Sequence, residues 1–139
     1  MSSLQMKPFF RIRLFWLLLT ALFLAACDGK PVKRDANPFH LPPDGFVADK
    51  NKGAELFRKN CSSCHGRYAN GSNKGPPLVH KTYNPSHHAD LAFNLAVKNG
   101  VRRHHWRFGD MPPQPGVSPE EVGHIVAYVR TLQRQAGIK

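Results

Sequence analysis

Apolar residues in this chain fall into one unbroken run and three amphipathic stretches. The run extends from Leu14 to Leu24, interrupted only by Thr20, and follows a basic segment that ends at Arg13. Even with Ala25 and Ala26 added, it is shorter than the ~20 residues a membrane-spanning helix requires. A basic start and a short apolar centre match an export signal. The first amphipathic stretch begins after Asp49, a residue able to cap a helix, and continues to Asn60 with Gly53, Leu56 and Phe57 on one side. The second covers 90–99, with Asp90 as the expected cap, Leu91, Ala92 and Leu95 as its apolar positions and Gly100 as its stop. The third carries the strongest signals. Ser118, Pro119 and Glu121 form a capping-box start, Val122, Ile125, Val126, Val129 and Leu132 recur at helical spacing, and Gly137 lies beyond the end. Gly123 and His124 are expected on another side of that helix. No internal repeat and no strand pattern of any length appears, so the predicted fold class is all-α with three main helices.

Between these stretches the chain is punctuated by proline and glycine. Pro31, Pro38, Pro42 and Pro43 precede the first helix and favour extended backbone, which predicts a tether. Phe39 and Phe46 are the tether residues able to pack back onto the domain. Residues 66–90 read as a loop, with Gly71, Gly75, Pro76, Pro77 and Pro85. The resulting organisation is a leader over 1–26, a tether over 27–48 and a folded domain over 49–139.

The chemistry is concentrated immediately after the first helix, at Cys61-Ser62-Ser63-Cys64-His65. Two thiols separated by two residues and followed by histidine are the pattern of a c-type haem attachment site. Two thioether bonds hold the porphyrin edge, and the adjacent imidazole serves as the proximal iron ligand. Half of a zinc site is one alternative, but zinc generally takes four protein ligands. A redox dithiol is another, but it belongs with a strand–helix–strand pattern that is missing here.

Taken together, Gly53, Phe57 and Cys61-Ser62-Ser63-Cys64-His65-Gly66 resemble a class I cytochrome c, over roughly residues 49–135. The resemblance implies a small helical fold around one covalently bound haem c. In that family the first helix crosses the last at the glycine, and an aromatic of the last helix packs at the crossing, here Tyr128. Gly75-Pro76-Pro77-Leu78 resembles the family's Gly-Pro-x-Leu, whose proline carbonyl orients the proximal imidazole. This assigns the role to Pro76, with Pro77 as the alternative register. Gly109-Asp110-Met111-Pro112-Pro113 resembles the distal loop, which makes Met111 the implied sixth ligand. A thioether there favours ferrous iron and raises the potential. His80, His87, His88, His104, His105 and His124 are its competitors. Trp106 sits in a basic run with Arg102, Arg103 and Arg107. That run reads first as a solvated surface with Trp106 against the haem edge, where the indole or an arginine can meet a propionate.

Leu24-Ala25-Ala26-Cys27 resembles the lipobox of bacterial lipoproteins. This implies cleavage before Cys27, diacylglyceryl modification of its thiol with chains such as palmitate, and anchoring without a spanning helix. Ordinary cleavage nearby, or a retained leader, are the alternatives. Asp28 then favours the inner membrane, by resemblance to enterobacterial lipoproteins. The expected location is the periplasmic or equivalent outer face of the cell membrane. The leader accounts for three of the 20 basic residues and none of the nine acidic ones, so the remainder carries +8. Two haem propionates would lower this to about +6. Such a charge suits acidic docking surfaces on redox partners, expected to be membrane respiratory complexes. No nucleic-acid motif is evident.

Two filled axial positions imply an electron carrier and not an enzyme. A haem-based gas sensor or small peroxidase with a labile sixth ligand is the rival reading, and a fixed subunit of a larger oxidoreductase is another.

Overall fold

The computed structural model describes residues 35–139. The predicted leader, the acylation site at Cys27 and the start of the tether lie outside the described residues. Contacts divide the chain into two units, and the second, Ala36–Lys139, is the one considered below.

Helix α1 spans Lys50–Asn60. Asp49 caps it as expected, its carboxylate accepting from the backbone N–H groups of Asn51 and Lys52. The helix ends at Cys61, and a single further turn, α2 (Ser62–His65), stops at Gly66. Gly66 has φ +78°, and a Cβ there would meet the Gly71 carbonyl oxygen at 2.4 Å. Helix α3 covers Asp90–Asn99 and α4 covers Pro119–Gln135. The capping box at Ser118 and Glu121 forms in both directions. One 3-10 turn, Lys81–Tyr83, interrupts the long loop. Among the described residues the only β-type pairing is an isolated antiparallel bridge between Val101 and Met111.

The cap of α3 departs from expectation. Ala89 occupies that position without a side-chain bond, and Asp90 lies in the first turn. The Asp90 carboxylate accepts instead from Arg130 Nε at 2.7 Å.

Helices α1 and α4 form the main packing unit. They cross at Gly53, where an added Cβ would lie 2.0 Å from the His124 carbonyl oxygen and 3.0 Å from Tyr128 Cβ. The Tyr128 ring packs on Phe57 at 5.6 Å. Phe57, Val122, Ile125, Val126 and Val129 are buried, joined by Val97 of α3 and Val117. This is the apolar face predicted for the last helix, with Leu132 packed at its edge.

His124 lies off the cavity-lining face of α4 and is buried there against a different segment. It is 7% exposed, and its Nδ1 accepts the backbone N–H of Asp49. The ring also faces Phe46 at 4.8 Å. Residues 37–46, assigned to the tether, are fastened to the domain by this contact among others. His40 Nε2 bonds the Val117 carbonyl, and Lys98 Nζ donates to the Asn37 carbonyl. Gly123 makes room for the segment, since a Cβ there would meet Phe46 at 2.5 Å and Pro42 at 2.9 Å.

Candidate functional site

Helix geometry alone aligns the three residues of the thiol motif. Cys61, Cys64 and His65 stand at i, i+3 and i+4, and the bond from His65 N–H to the Cys61 carbonyl confirms the helical turn. All three line one cavity of about 540 Å³, within the usual range for cofactor sites. Burial, with Cys64 adding to it, pushes the Cys61 thiol up to about 11.

The loop after the motif orients His65. Its Nδ1 donates to the Pro76 carbonyl at 2.9 Å, which leaves Nε2 as the nitrogen with a free lone pair. Burial lowers the pKa of the imidazole, an effect only partly offset by that bond, so the neutral form is favoured. Gly75 brings the loop to this position. A Cβ there would lie 2.9 Å from the Cys64 carbonyl oxygen, so the two backbones touch. The Ser72 hydroxyl donates to the same carbonyl, and Gly71 N–H to that of His65. Of the two prolines, Pro76 makes the bond and lines the cavity; Pro77 does neither.

Met111 reaches the cavity from a separate segment. Its backbone exchanges two 2.9 Å hydrogen bonds with Val101. Gly100, at φ +74°, lets the end of α3 touch this segment, because a Cβ there would stand 2.5 Å from the Met111 carbonyl oxygen. Gln114 N–H closes the loop onto the Val97 carbonyl. Loop 101–114 is thus tied down at both ends, and Trp106 hangs within it. The indole packs edge-on against His80 at 5.1 Å, and its Nε1 is buried with no hydrogen-bond acceptor. Burial raises the Tyr83 pKa, and Trp106 offsets part of the rise.

The competing histidines separate in space. His88, His104 and His105 line the cavity, while His80, His87 and His124 do not. Several contributors carried weak sequence signals. Phe93 and Ala96 bring α3 to the cavity wall. Arg130 and Gln133, both buried on α4, fasten the long loop by donating to the carbonyls of Tyr83, His88 and Leu78. A charged residue in the last turns of a helix reads as solvated, so nothing in the sequence pointed to this role.

The lining suits a large apolar plate with a polar edge. Phe57, Leu78, Leu95 and Val97 supply the apolar walls, two thiols stand at one rim, and the unpartnered indole N–H awaits an acceptor. Residues 51–133, more than half of the chain, match the family described as cytochrome c, and the chain belongs to that family. Members carry covalently attached haem c, and Cys61 and Cys64 are positioned for that attachment. The protein is therefore a haem-based electron carrier of all-α fold whose partners are redox proteins. No curated protein matches the chain.

Proposed function

We propose that this cytochrome is a one-electron carrier with His65 and Met111 as its axial pair, acting from the outer face of a bacterial membrane. The observation that carries the reading is that both residues line one cavity while their backbones are pinned independently. Haem supplies the one-electron couple when bound. The chain's own residues hold the environment constant. The Pro76 carbonyl fixes the tautomer of His65, and the Val101 bridge together with Pro112 restricts the Met111 loop, keeping a weak thioether in place. Trp106 offers its N–H to a propionate.

The ferric absorption spectrum tests the axial pair. Wild-type holoprotein should show the weak far-red band that sulfur ligation gives ferric haem, and Met111→Ala should lose it with a fall in reduction potential. A wild-type spectrum without that band would refute Met111. Rapid binding of peroxide or a gas by the same sample would then support the sensor or peroxidase reading.

Acidic partner surfaces follow from the charge of +8 beyond the leader. Electron-transfer rates with the physiological partner should fall as ionic strength rises, and rates independent of salt would remove acidic docking. The anchor rests on the Leu24-Ala25-Ala26-Cys27 motif. Cys27→Ser, exported behind a leader that is cleaved without that cysteine, should move the protein from the membrane fraction to the soluble one, and continued membrane retention would refute the lipid as the anchor. Co-purification with a respiratory complex in mild detergent would favour a fixed subunit over a shuttling carrier.

A further inference from the structure

Four histidines gather where the 82–90 loop meets the 101–114 loop, and the haem reading uses none of them. His87, His88 and His105 each offer a ring nitrogen, and these three atoms lie within 4.8 Å of one another. The His104 ring stands 4.3 Å from that of His105 and stacks on His88 at 6.1 Å. Like groups this close are unfavourable once protonated, because cations packed together repel. A bound cation turns the same arrangement into an attraction.

One pair already stands at ligand spacing. His87 Nε2 and His105 Nε2 are 3.4 Å apart. Two imidazoles on a tetrahedral metal at about 2.0–2.1 Å have their nitrogens about 3.3–3.4 Å apart, whereas cis ligands of a square-planar ion stand nearer, at about 2.9 Å. The third ligand is oriented in advance. His88 Nδ1 donates to the Thr82 carbonyl at 2.7 Å, which places the proton there and leaves Nε2 with its lone pair. The His88 backbone is held in turn, because Arg130 donates to its carbonyl from α4. His88 is half-buried while His87 and His105 are exposed, so two adjustable ligands can close on one fixed ligand. No carboxylate belongs to the trio, which disfavours calcium and magnesium and favours an ion that binds imidazole.

We propose that His87, His88 and His105 form a site for a divalent transition-metal ion, zinc by the spacing of the His87–His105 pair, with the fourth position open to water. The site is separate from the thiol motif, and its ion would sit at the rim of the haem cavity, since His88 and His105 also line it.

Calorimetric titration of the haem-loaded protein with zinc chloride tests the assignment. One zinc per chain is expected, with affinity lowered about tenfold or more in His87→Ala and in His105→Ala. His40→Gln, away from the cluster, should bind as wild type. Both cluster variants keep the half-buried His88, and an unchanged far-UV circular dichroism spectrum certifies that they fold. Absence of saturable binding, or binding left intact by both cluster substitutions, overturns the proposal. So does weakening by His40→Gln equal to that of the cluster variants.

Discussion

The helix crossing at Gly53 allows a prediction in which two physical effects oppose each other. In an exposed helix, Gly→Ala stabilises by about 1 kcal/mol, because glycine loses more backbone freedom on folding. At Gly53 the new Cβ would stand 2.0 Å from the His124 carbonyl oxygen and 2.6 Å from its carbon. Neither atom can rotate away, since both belong to the backbone of α4. Relief therefore requires the two helices to part by more than an ångström at the centre of the core, beside fully buried Phe57. Overpacking of this kind costs about 1–3 kcal/mol, and backbone contact puts it at the upper end. Net destabilisation of about 2 kcal/mol is expected, a fall in Tm of roughly 10 °C for a domain of this size. Thermal unfolding of the ferric holoprotein, followed by far-UV circular dichroism and by the haem band, measures it. Gly123→Ala is the contrast. Its Cβ meets the side chains of Phe46 and Pro42, so the 37–46 segment can lift off instead. That variant should stay within about 1 kcal/mol of wild type while gaining protease sensitivity in the segment. Gly53→Ala as stable as wild type, or more stable, would refute the close crossing.

Two further predictions concern the loop and the proximal imidazole. Arg130→Met leaves the Tyr83 carbonyl short of one donor and the His88 carbonyl without its Arg130 donor, and should cost roughly 3 kcal/mol by chemical denaturation. Asp90→Ala should cost below about 1 kcal/mol, because the carboxylate is 66% exposed; equal losses would mean the ion pair and not the carbonyls dominates. His65 has its pKa lowered by burial in the folded state, so the neutral ring contributes stability that is present above the ordinary value of 6.5 and is lost as pH falls through the folded value. In the holoprotein iron would hold Nε2 and compete with the proton for it, so the loss should begin further below 6.5; a denaturation midpoint that rises from pH 7 to 5 would contradict this assignment.

Local signals determined a large part of this protein. The three main helices, the Asp49 cap, the capping box at Ser118 and the alignment of Cys61, Cys64 and His65 all follow from neighbours within a few residues. Helical periodicity and capping act at that range, so they are readable from order alone. Other features required distant segments to meet. Whether Asp90 capped a helix or paired with Arg130 depended on a residue 40 positions away. The burial of His124 depended on Asp49 and Phe46, and the choice between Pro76 and Pro77 depended on which carbonyl reached His65. The histidine cluster is the extreme case. His87 and His88 are separated in sequence from His105 by a whole helix, and nothing in their spacing implies a 3.4 Å approach. Periodicity decides which face of an element is buried; only packing decides which polar atoms meet, because a hydrogen bond or metal ligand is fixed by sub-ångström distances that sequence order does not encode.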